Sequence, residues 1–146
     1  MRIVLDTASF IAAVRSSVGA ARETVRLIFA REIIPLMDLK LGLEYRDVGL
    51  RAEHLSASKL SKADVLELIE AIEALAEAVE IVDKHRPLST DPNDDMVLDL
   101  AIAGRADALV TSNAKHFVRA GKRFGIPVLT PVELLNEIRK GEKDAN

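Results

Sequence analysis

The sequence predicts a three-layer α/β/α sandwich built on a short parallel sheet of about five strands. Two observations carry that expectation. Short apolar runs and helical periodicities alternate from one end of the 146-residue chain to the other, the order from which right-handed βαβ crossovers are made. The apolar runs are also continuous, as in Ile3-Val4-Leu5 and Leu109-Val110, which suits strands covered on both faces by helices.

Strands are expected near residues 2–5, 33–36, 79–82, 107–111 and 126–129, each short and rich in Ile, Val or Leu. The first leads through Asp6 into a helix beginning near Ser9, and Asp is a favoured N-cap. After the second strand, Leu39, Leu43 and Leu50 mark the apolar side of a helix that also carries Glu44. The clearest helix spans 61–78, where Ser61 can cap the first turn and Val65, Leu68, Ile72, Leu75 and Val79 make an apolar stripe. Opposite that stripe run Asp64, Glu67, Glu70, Glu73, Glu77 and Glu80, the pattern of a solvated face. Asp91-Pro92-Asn93-Asp94-Asp95 opens a helix that continues through Val97, Leu98, Leu100, Ala101 and Ile102 and needs only Asp91 or Asn93 as its cap. The last helix starts at Thr130, Pro131 and Glu133 and meets a stop signal at Gly141. A single domain over 1–141 and a frayed tail over 142–146 follow.

With 49% hydrophobic residues the chain can fill its own core. It contains no cysteine, which excludes disulfides, zinc thiolate sites, iron–sulfur clusters and a cysteine nucleophile. The start MRIVLD enters a strand with no basic leader, and no apolar run approaches a membrane span, so a cytoplasmic protein is expected. The net charge is −3, unevenly spread: from Ala108 to Val132 there is no acid, while Lys115, His116, Arg119, Lys122 and Arg123 all fall there. The glycines show no phosphate-cradling spacing, which disfavours a nucleotide-binding Rossmann domain.

Polar groups stand where apolar runs end, Asp6 and then Thr111-Ser112-Asn113, with Glu44 on an intervening helix and Asp94 and Asp95 after Asp91-Pro92-Asn93 at the start of another. The carboxyl ends of parallel strands share one edge, so side chains placed there converge on one crevice. Carboxylates converging without lysine suit a divalent cation. Each residue also has a purely structural use. Asp6 can be a cap, Glu44 an exposed helix residue, Asp94 and Asp95 partners of a helix dipole, and Thr111-Ser112-Asn113 a turn. The sequence alone leaves both uses open.

The ordered set VLDT, LxxEY, DPxDD, LVTSNxxxF and GIPVLTPxELL resembles the PIN domain, in particular the toxin components of bacterial and archaeal toxin–antitoxin pairs. The similarity covers the chain from Arg2 to about Ile138. It implies a nuclease that holds Mg2+ or Mn2+ and cuts RNA to leave a 5′-phosphate and a 3′-hydroxyl. By position, Asp6, Glu44 and Asp94 match the family's three acids and are the implied catalytic and metal-holding residues. Asn113 matches a fourth position where the family uses Asp or Asn, and Asp95 is an adjoining carboxylate. Thr111, Ser112, Lys115, Arg119, Lys122 and Arg123 are the candidates for contacting RNA, the basic ones through phosphates. The resemblance also implies an antitoxin partner and a homodimer. Val14, Val18, Val25 and Ile28 are more helix-borne apolar residues than a short sheet obviously covers. Two positions depart from the family: Ala8 stands where an amide is usual, and His116 where an acid is frequent. They keep open an alternative, a catalytically impaired PIN module that binds RNA or protein. An aspartyl phosphohydrolase would want an acid at Ala8.

Overall fold

The computed structural model describes residues 1–82 and 92–145. In chain order the elements are β1 (Arg2–Leu5), α1 (Thr7–Arg15), α2 (Ala20–Phe29), β2 (Ile34–Met37), α3 (Leu39–Gly49), α4 (Ala52–Ser58), α5 (Lys62–Leu75), β3 (Glu77–Ala78), α6 (Pro92–Ala103), β4 (Ala108–Val110), α7 (Ala114–Phe124), β5 (Val128–Leu129) and α8 (Pro131–Ala145). The sheet has five strands in the order β3-β2-β1-β4-β5, and every pairing is parallel. The predicted α/β sandwich is therefore the observed one.

β1 lies at the centre of the sheet, and its Ile3, Val4 and Leu5 are buried, as a strand covered on both faces requires. The chain winds outward from it in two directions, to β2 and β3 on one side and to β4 and β5 on the other. That reversal opens a crevice at the carboxyl ends of β1 and β4, where Leu5 registers with Val110.

The strands expected at 79–82 and 126–129 are displaced or shortened. β3 covers only Glu77–Ala78 and β5 only Val128–Leu129, and both lie at sheet edges, where short strands limit unwanted pairing. α5 stops at Leu75, and Ala76 is already extended, so Val79 does not extend the helical stripe. Its N–H instead donates to Met37 O at 2.9 Å. The start of α5 is as expected: Ser61 and Asp64 cap each other reciprocally, and Val65, Ile69 and Ile72 face the core.

The apolar side of α3 is not the one the sequence suggests. Leu39 is 77% and Leu43 55% exposed, while Leu41 and Tyr45 are buried. Asp38 sets this phase by accepting from Leu41 N at 2.9 Å, a cap that starts the helix with positions 41 and 45 toward the sheet. Tyr45 then stacks on Phe10 at 4.4 Å between ring centroids. The acidic face of α5 is likewise not wholly solvated, because Glu73 takes a two-pronged bond from Arg46 of α3 at 2.6 and 3.0 Å; Glu77, which falls in β3, pairs with Arg2.

Val14, Val25 and Ile28 are buried inside the chain, where α1 packs on α2. Of the residues offered as a dimer surface only Val18 stays exposed. The Thr130 start signal holds, with Thr130 N donating to Glu133 Oε1 at 3.0 Å and Glu133 N to Thr130 Oγ1 at 3.2 Å. α8 does not stop at Gly141 but runs to Ala145. Asp91 and the side chain of Asn93, the residues read as the cap of α6, lie outside the described residues. Among the described residues no helix is long and apolar enough to cross a membrane.

Candidate active site

Asp6 is the first residue beyond β1. Its N–H donates to Val110 O at 3.0 Å, which carries the ladder one step past the last strand residues and holds the side chain at the crevice. Its carboxylate does two jobs. Oδ1 accepts from Ser9 N at 2.8 Å and caps α1, and Oδ2 accepts from the Thr111 hydroxyl at 2.5 Å. Only 7% of the residue is exposed. Burial pushes its pKa above the ordinary carboxylate value, against the opposing pull of the hydrogen bonds from Thr111 and Ser9. Among the described residues no ion pair to a basic side chain offsets this charge.

Thr111 is fully buried. Its hydroxyl donates to Asp6 and accepts from Asn113 N at 3.0 Å, so it holds the Asp6 carboxylate in place. Ser112 is exposed at the crevice, with its Oγ 3.4 Å from Ser9 Oγ. Asn113 precedes α7 and makes no side-chain cap bond, which leaves its carboxamide available to a ligand.

Glu44 is half-buried on α3, one residue before Tyr45. The Tyr45 hydroxyl donates to Leu5 O at 2.5 Å and so ties α3 to the end of β1. Burial first, and then the charge of Asp6, push its pKa up. Asp94 and Asp95 occupy the first turn of α6, and Asp95 is buried with Asp99 one turn on. Asp94 Oδ2 lies 3.9 Å from His116 Nδ1 of α7. The structure thus joins Asp6 to Thr111 and Asp94 to His116. Among the described residues it does not assemble three His, Asp or Glu side chains as a metal cage.

Donor chemistry still fits a hard divalent cation. Asp6, Glu44, Asp94, Asp95 and Asn113 offer oxygens only, and Mg2+ is commonly held by one or two carboxylates while keeping several waters. A carboxylate has about four lone-pair sites, so Asp6 retains acceptor capacity after bonding Ser9 and Thr111.

Lys115, Arg119, Lys122 and Arg123 are exposed on α7, whose other face buries Phe117, Ala120 and Gly121. Spacings of three and four put these cations along one side. Gly121 is required for the fit, since a Cβ there would stand 2.7 Å from Ile126 O. At the head of the helix, a pocket of about 280 Å³ is lined by Ser112, Asn113, Lys115, His116 and Thr130.

Sequence reasoning missed Ser9 and Tyr45. Ser9 sat at the third position after a candidate cap, and Tyr45 stood inside the LxxEY motif, so both were within view of a recognised signal.

The PIN domain family matches residues 2–115. Among solved structures, the chain is similar to the crystal structure of VapBC2 from Rickettsia felis bound to a DNA fragment from their promoter. The TM-score is 0.58 and the identity 19%, over 89% of this chain and 98% of that one. A comparison with curated proteins gives no match.

Proposed function

The chain belongs to the PIN domain family, and from that premise we propose that it is a Mg2+- or Mn2+-dependent endoribonuclease, the toxin of a toxin–antitoxin pair acting in the cytoplasm. One observation carries this reading. A carboxylate sits buried at the crevice of the sheet, fixed by two neutral donors and balanced by no cation among the described residues. Such a group is held ready for a positive ligand, because an isolated buried charge is otherwise unfavourable.

Asp6, Glu44 and Asp94 would hold the ion, with Asp95 and Asn113 adjoining. When bound, the cation supplies a water of lowered pKa and offsets charge on the leaving oxygen. Thr111 fixes the Asp6 carboxylate, and Tyr45 fixes the carbonyl just before it, so that little reorganisation accompanies binding. Lys115, Arg119, Lys122 and Arg123 would hold RNA phosphates beside the acidic crevice without reading sequence. A cognate antitoxin and a homodimer complete the proposal. The similarity to VapBC2 supports the first; Val14, Val25 and Ile28 lend the second no support.

A catalytically impaired module is the alternative, favoured by Ala8 and by the lack of a three-residue cage among the described residues. Calorimetric titration with Mn2+ and a single-stranded RNA cleavage assay separate the two. Binding and cleavage are expected in the wild type and lost in Asp6→Asn. The stabilisation by Mn2+ should reach about 2.7 kcal/mol at a hundredfold excess over Kd. Cleavage that survives Asp6→Asn would overturn the nuclease reading.

A further inference from the structure

Resting on the homodimer named above, we propose that its two chains meet through the exposed face of α3, each helix packed antiparallel on the other about a two-fold axis beside Leu43. Leu39 and Leu43 stand one turn apart and are 77% and 55% exposed. The apolar surface continues past Leu39 into a recess of about 330 Å³ lined also by Val79, Ile81 and Met96, and Val82 is 81% exposed. Apolar residues grouped on a surface in this way mark a contact with a partner.

Charge selects a second copy as that partner. Lys40, Leu43 and Asp47 follow one another at spacings of three and four and so form one row along α3. The row has a cation at its start, an apolar residue in the middle and an acid at its end. A two-fold interface joins a patch to itself reversed, so the patch must complement itself. Turned about Leu43, the row sets Lys40 of each chain beside the partner's Asp47, offset by one residue's rise of about 1.5 Å. Within one chain the two lie about 10 Å apart along the helix axis, too far to pair. Lys40 is exposed. Asp47 meets Arg51 at 3.3 Å, but its side chain stays 71% exposed, so the carboxylate can accept from a second cation. Arg46, the other cation on this stretch of helix, is turned toward α5 by its bonds to Glu73 and does not oppose Lys40.

The test uses the full-length chain with no antitoxin and no added metal, and reads the dimer dissociation constant by sedimentation equilibrium. A dimer is expected at micromolar concentration. Leu43→Glu should raise the constant about a hundredfold or more, with circular dichroism unchanged because the position is exposed. Lys40→Glu and Asp47→Lys each set like charges together twice per dimer, and each alone should raise it about tenfold. An equimolar mixture of these two variants restores opposite charges at both contacts, so it should dimerise about as tightly as the wild type. A wild type that stays monomeric would overturn both the homodimer and this face, the exposed leucines then serving a different protein. A dimer unaffected by Leu43→Glu, or a mixture no tighter than its components, would overturn the α3 face and leave the homodimer standing. Cation-dependent cleavage is read separately, so none of these outcomes touches the nuclease reading.

Discussion

The Thr111 hydroxyl donates to Asp6 Oδ2 at 2.5 Å, joining residues 105 positions apart across the carboxyl ends of two adjacent strands. The same hydroxyl accepts from Asn113 N, so one small side chain links the buried acid to the start of α7.

Replacing Thr111 with Val keeps the shape and removes the hydroxyl. Asp6 then loses a donor and Asn113 N an acceptor, and a buried polar group left unmade costs about 1–3 kcal/mol. Urea unfolding should show that loss in Thr111→Val and only a small one in Thr111→Ser. Carbon NMR should show the Asp6 carboxyl titrating higher still in Thr111→Val.

Burial already lifts Asp6 above its ordinary value of 3.8. The folded state therefore binds this proton more tightly than the unfolded state, and stability present below pH 3.8 is lost as pH rises through the folded pKa. Asp6→Asn should flatten this part of the stability profile and leave metal-free melting at pH 7 equal or higher, since Asn still caps. Asp6→Ala should melt lower, by about 0.5–2 kcal/mol for the lost cap. Thermal melts across pH 3–8 without metal check both, and a lower melting temperature for Asp6→Asn at pH 7 would contradict the sign.

The exposed cations of α7 should act on RNA through phosphate alone. Changing Arg119, Lys122 and Arg123 together to Ala is expected to weaken binding of unrelated single strands about equally. It should also reduce the slope of log K against log salt by about 0.7 per lost contact. Unchanged affinity and slope would leave them as a solvated face.

Gly42 sits beneath the Arg46–Glu73 pair, where a Cβ would come within 2.6 Å of Glu73 Oε2. Gly42→Ala should push the flexible Glu73 carboxylate aside and weaken its bond to Arg46, a loss that the better helix propensity of Ala offsets, so the net change should stay within about 1 kcal/mol. In a Glu73→Ala background the clash is gone, and the better helix propensity of Ala should make the same change neutral or favourable. A double-mutant cycle by chemical unfolding measures the difference, and additive effects would place the strain elsewhere.

What the sequence determined by itself was whatever is encoded within a few residues. The unbroken apolar run ending in Asp6 marked the central strand and its crevice. The Ser61 and Thr130 start signals located two helices, because caps are made between residues three apart. The ordered motifs were enough to point to the family. Only the tertiary structure decided which face of α3 turns inward, because Leu39, Leu43 and Leu50 make as plausible a stripe as Leu41 and Tyr45 until the sheet is in place. Likewise, whether Val14, Val25 and Ile28 meet a partner or α1 and α2 meet each other is a matter of packing. The role of Thr111 was the least legible. A hydroxyl at a strand end serves turn, substrate or neighbour equally well, and the parallel register that sets Leu5 beside Val110 is what brings Asp6 within its reach.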